Sequence, residues 1–134
     1  MSRREAREAA FAFLYQLDFR KEPVSEQRAM YLELHPLEEG DLAYFNELTD
    51  GVYADRDALD ETYSQYLKDW KLNRLPKVDV ILLRIGTYEI LHFPDIPVSV
   101  SINEAVVLAK RYSSEEARSY INAVLGKVGN AAEK

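Results

Sequence analysis

The chain has 134 residues, 47% of them hydrophobic and 30% charged, with a formal net charge of -6 and no cysteine. That length supports one domain with a real core, and the missing cysteine excludes a disulfide framework, a thiolate metal site and a thiol nucleophile. No apolar run approaches the roughly 18 residues of a membrane span, no signal-peptide pattern opens the chain, and the cysteine-free composition fits a reducing, cytoplasmic setting.

The charge is unevenly placed. Residues 22–61 carry twelve acidic side chains against Arg28 and Arg56, so the remainder of the chain is mildly basic. An anionic partner is therefore compatible with an acidic total.

Helix signals run from end to end. The first helix is expected over about 3–20, opened by Ser2 and Glu5 at capping-box spacing. Ala6, Ala9, Ala10, Phe13, Leu14 and Leu17 form one apolar arc at 100° per residue. Arg3, Arg4 and Arg7 share another face, and Phe11 and Tyr15 continue that face along the axis. Arginines suit backbone phosphates, and aromatic rings suit single-stranded bases. Packing of Phe11 into the core is the plainer alternative.

A second, shorter helix is expected at about 25–34, ahead of Pro36. Phe45, Leu48, Val52, Leu59, Tyr63, Tyr66, Leu67 and Trp70 then recur mostly at spacings of three and four. That stretch is long for one helix, and Gly51 and YADRD place a break near 55–57. Pro76 suits a first helical turn and opens KVDVILLRIGTYEILHF, apolar on nearly every side and so expected to be the buried central helix. Within it, Arg84 needs a carboxylate partner or an exposed tip. An interhelical salt bridge is the simpler reading and a ligand role the other. Asp79 either caps the helix through the dipole or faces a partner. PDIP cannot be helical, so residues 94–100 read as a connector. Ser101 and Glu104 give a second capping box, with that helix running to about Arg111. Ser113 and Glu116 give a third, with the last helix ending near Gly129. The reading is all-α, about seven helices around one buried helix.

Enzyme constellations are absent from the sequence. His35 and His92 are far apart, no phosphate-binding glycine loop or serine elbow is present, and the acidic residues of 38–61 lack calcium-loop spacing. No metal site and no cofactor are expected.

Taken together, SRREAREAAFAFLYQLD, LNRLPKVDVILLRIGTYEIL, DIPVSVSINEAVVLAKRY and YINAVLGKV resemble the NusB transcription antitermination family, in the family's order and over nearly the whole chain. The resemblance implies one RNA-binding domain over 1–134, built of two small bundles, three helices and then four, divided at about 1–55 and 56–134. It implies a non-enzymatic factor that pairs with NusE, a small-subunit ribosomal protein. The pair binds boxA-type single-stranded RNA and loads an antitermination complex on RNA polymerase, in support of rRNA transcription. By position it assigns RNA contact to Arg3, Arg4, Arg7, Glu116, Ser119 and Tyr120. The NusE contact falls on Tyr15 and Asp79, and structural roles fall on Arg84, Glu104 and Asn122. The chain departs from the family pattern at Glu5, Val80, Ser119, Ala123 and Gly126.

Two other readings compete. One is a structural helical module or homodimer in which Phe11 and Tyr15 bury in a self-interface and occlude the RNA face. The other is the NusB-like domain that precedes RNA cytosine methyltransferases, disfavoured by the lack of a catalytic cysteine and of a cofactor-binding βαβ unit.

Overall fold

Seven helices and no strand make up residues 3–67 and 74–132, the part that the computed structural model describes. They are α1 (Arg3–Leu17), α2 (Val24–Leu34), α3 (Glu39–Ala54), α4 (Arg56–Ser64), α5 (Lys77–His92), α6 (Val98–Tyr112) and α7 (Glu115–Ala132). Ser2 and Trp70, both used in the sequence reading, lie outside the described residues.

The apolar arc of α1 folds as its periodicity requires. Ala6, Ala10, Phe13, Leu14 and Leu17 are all buried, and Ala9 is half-buried at the margin. Phe13 meets Phe45 of α3 and Tyr31 of α2 at ring separations of 5.6 Å, so three aromatics lock the first three helices together. The expected break after α3 falls at Asp55. Its amide closes the last turn on Gly51 at 2.9 Å, and its carbonyl accepts the first bond of α4, from Leu59 at 2.8 Å.

Helix α5 is the central element. It packs on α1, α3, α4, α6 and α7, and it buries Ile81, Leu82, Leu83 and Ile85 nearly completely. Each such side chain contributes about 1.5–3 kcal/mol on leaving water. Gly86 lets α7 come close, since a Cβ there would stand 2.5 Å from a methyl carbon of Leu125. Pro76 is the extended residue just before the helix, not its first turn, with ψ at 149°. Its carbonyl accepts from the Asp79 and Val80 amides.

Arg84 takes the simpler of its two readings. Its guanidinium grips Asp60 of α4 side-on, at 2.9 and 2.8 Å, and ties α4 to the central helix. The Asp60 bond holds the arginine's pKa above its usual value, against the opposing effect of burial. His35 and His92 each pack on a tyrosine one turn back, Tyr31 at 4.5 Å and Tyr88 at 4.4 Å.

Two of the expected caps are corrected. Helix α6 starts at Val98, because Pro97 stands at its N-cap with extended backbone. The signature Ser101-x-x-Glu104 therefore lies inside the helix, and both side chains turn to other helices. At α7 the cap is Ser114, whose hydroxyl accepts from the Ala117 amide at 3.0 Å. Ser113 instead donates to Asp79.

Candidate nucleic-acid interface

The three arginines of the first helical turns have three different fates. Arg7 is only 3% exposed. Its Nε and one Nη donate to Glu89 of α5 at 2.7 and 3.0 Å, and its other Nη lies 3.5 Å from Glu104 of α6. Glu89 is fully buried and also accepts from the Tyr44 hydroxyl of α3 and the Ser101 hydroxyl of α6, the latter at 2.8 Å. One carboxylate thus joins α1, α3, α5 and α6, with its lone pairs satisfied as burial demands. Burial works against charge on Arg7, but the bond to Glu89 and the nearby carboxylates outweigh it and raise its pKa. Burial and the Glu89 charge together push the Tyr44 phenol far up.

Arg4 is half committed. Its Nε and one Nη donate to Glu104 at 2.9 and 2.7 Å, while the side chain remains 58% exposed. That hydrogen bond, helped by the charges of Arg4 and Arg7, outweighs burial and holds the Glu104 carboxyl below its usual range. Glu104 therefore holds two arginines and does not act as a cap.

Arg3 is held without being neutralised. Its guanidinium carbon sits 4.4 Å above the Tyr44 ring centre, a cation–π distance. Among the described residues its nitrogens meet no carboxylate. Its guanidinium donors make no hydrogen bond among the described residues. Arg3 and Arg4 border a cleft of about 470 Å³ that runs between α1 and the start of α6, walled on its far side by Ile96, Pro97 and Val100.

Arg7, assigned to RNA by the resemblance, is thus turned inward. Its donors are spent on two carboxylates, and it anchors the helix that carries Arg3 and Arg4. Asp79, assigned to the protein partner by the resemblance, is turned inward as well. Asp79 is fully buried and accepts from Ser113 at 2.5 Å and from the Tyr120 hydroxyl, joining the start of α5 to the α6–α7 corner. Tyr120, assigned to RNA, is half-buried and uses its hydroxyl internally. Burial, together with the Asp79 bond, pushes its phenol far up. Glu116 and Ser119 are exposed on the first turns of α7 and lie outside the arginine cleft. Asn122, expected to be structural, is exposed on a shallow hollow with Asn103 and Ser99, and its amide makes no hydrogen bond among the described residues.

Tyr15 is half-buried within an aromatic row. Phe11 packs 5.1 Å from Tyr112 and 6.3 Å from Tyr15, and Tyr15 lies 5.3 Å from Phe19. Phe11 belongs to the core at 5% exposure, whereas Phe19 is 66% exposed and has Lys77 at 5.9 Å over its ring. Sequence reasoning missed Glu89, Tyr44 and Phe19. An acid inside an apolar helix was the available signal for Glu89, since it must find a cation.

No group of three or more potential metal ligands occurs among the described residues, and no helix there is long and apolar enough to cross a membrane.

Helices throughout the described residues, with Arg3 set over a tyrosine ring beside a cleft of mixed charge, define a small helical protein with an arginine-lined cleft. Comparison with known proteins narrows that class. The model of the NusB family matches residues 4–130. Transcription antitermination protein NusB of Acetivibrio thermocellus is 45% identical over 128 residues, covering 96% of this chain and 88% of that one. The Bacillus subtilis protein of the same name is 40% identical over 134 residues, covering 100% and 99%. Among solved structures, T. maritima NusB superposes with a TM-score of 0.88 at 33% identity, covering 97% of this chain and 92% of its own. A complex of antitermination factors NusB and NusE with double-stranded RNA gives 0.84 at 25% identity, covering 96% of each chain. The chain belongs to the NusB family.

Proposed function

We propose that this protein is a transcription antitermination factor. It binds boxA-type single-stranded RNA together with NusE and so loads an antitermination complex on RNA polymerase, in support of rRNA transcription. It works as a cytoplasmic adaptor without catalysis of its own. Family membership and the likeness to a NusB–NusE–RNA complex support this reading. The observation that carries it is the Arg3 fork, fixed on Tyr44 with its donors free, beside the half-committed Arg4. Two such contacts give weak, salt-sensitive affinity, so the partner's surface is needed for tight binding. Glu116 and Ser119 extend the contact along α7, and the Tyr15–Phe19 row serves the protein partner.

Anisotropy titrations of labelled boxA RNA, with and without NusE, test this. Tighter binding with NusE is expected, and equal affinity in both would remove the cooperative step.

The exposed Phe19 beside Tyr15 gives the homodimer reading one specific observation. Sedimentation of Tyr15→Asp separates the two. A wild-type dimer that dissociates in this variant, with RNA affinity unmoved by Arg4→Glu, would favour self-association.

A further inference from the structure

One acidic side chain beside the cleft stands outside the arginine–glutamate network. Asp95, in the turn between α5 and α6, is exposed and borders both hollows that flank Arg3, one of about 470 Å³ and one of about 320 Å³. Among the described residues its carboxylate makes no ion pair and no hydrogen bond. Charges around the larger hollow therefore nearly balance: Arg3, Arg4 and Arg7 face Asp95 and Glu104, with Glu89 behind Arg7. A surface made for phosphate alone gains nothing from an unneutralised carboxylate next to its free arginine, because like charges repel.

A nucleobase, unlike a phosphate, presents donors as well as acceptors. It also has an apolar face, and Ile96, Pro97 and Val100 supply an apolar wall, with Val100 41% exposed. The larger hollow falls within the roughly 300–1,000 Å³ range of small-ligand sites.

We propose that the hollow is a base-reading subsite in which Asp95 accepts the donor edge of a guanine from single-stranded RNA held by Arg3. This rests on the RNA-binding reading above. Guanine places two adjacent donors, N1–H and the N2 amine, on its Watson–Crick edge, and the two oxygens of one carboxylate match them. Adenine, cytosine and uracil each offer a single donor there, next to acceptors that a carboxylate repels.

Labelled uridine heptamers with a central guanine, inosine, adenine or cytosine provide the probe, titrated at low salt against wild type, Asp95→Asn and Arg3→Ala. Wild type prefers guanine by about tenfold over adenine or cytosine, the discrimination of one good bidentate pair. Inosine, lacking only the N2 donor, falls between. Asp95→Asn removes the preference and at the same time tightens binding of the adenine and cytosine oligomers, since a repelling charge is gone. Tightening of every oligomer alike, guanine included, would show that Asp95 merely repels phosphate and would overturn the proposal. So would a wild type without guanine preference. Arg3→Ala isolates the underlying reading. If it leaves all affinities unchanged, or if no oligomer binds, the RNA site itself fails; if it weakens all of them, that site stands whatever Asp95 does.

Discussion

The guanidinium of Arg7 and the carboxylate of Glu89 meet through two hydrogen bonds, with both side chains withdrawn from water. Removing one partner leaves an uncompensated buried charge, at a cost of about 3–5 kcal/mol. Arg7→Ala is expected to lower the urea midpoint strongly. The double variant Arg7→Met/Glu89→Leu is expected to recover most of the loss, and a double variant no better than the single would contradict this account. Arg7→Lys rescues little, because an ammonium cannot reproduce the two-point grip.

Acid sensitivity follows from Glu104. Its folded pKa is depressed below the usual glutamate value of 4.5. Its contribution is thus fully present above that value and is lost as pH falls through the lower folded one. Thermal midpoints measured from pH 7 to pH 3 should fall less steeply in Glu104→Gln than in wild type at the acid end. Parallel curves would remove Glu104 as a source.

The two arginines of the cleft should differ from the anchoring one in salt dependence. Arg3→Ala is expected to flatten the plot of log affinity against log salt by about 0.7, the value for one phosphate on a single strand. Arg4→Ala should act in the same direction. Arg7→Lys, where folded, should keep the wild-type slope. A flattened slope in folded Arg7→Lys would mean that Arg7 reaches phosphate after all.

Two glycines give opposite outcomes. A Cβ at Gly86 would press on Leu125, itself fully buried between α5 and α7, so Gly86→Ala is expected to destabilise by about 1–3 kcal/mol. A Cβ at Gly126 would meet nothing within 4 Å. Gly126→Ala is expected to stabilise by about 0.5–1 kcal/mol through helix propensity. Denaturant melts of both decide the matter, and the same sign in both would refute the packing account.

Much of this was legible because it is local. The α1 arc, the break at Asp55 and the buried α5 follow from period and punctuation along the chain. Arg84 was legible for a different reason: a charge in an apolar helix must be answered. The same rule applied to Glu89, whose answer comes from Arg7, 82 positions away. A helical wheel could place Arg7 beside Arg3 and Arg4 but could not tell which arginine turns inward. Ser101-x-x-Glu104 shows the converse error. Cap spacing and buried-network spacing are identical on a helix, because residues three apart share a face. Only the position of Pro97 relative to the first turn separates them.

The route by which α1 is secured also sets an order of events during synthesis. The helix is made before its anchors, which sit on later residues: Tyr44, Glu89, Ser101 and Glu104. Contacts this distant in sequence form late, and chains elongate at only ~5–20 residues per second. A nascent chain that stops short of α5 therefore lacks both carboxylates that hold Arg7 and Arg4, and offers passing polyanions two loose arginines. Once α5 and α6 are in place Arg7 is withdrawn and Arg4 tethered, so discrimination at the tip is acquired only after Glu104 has been made.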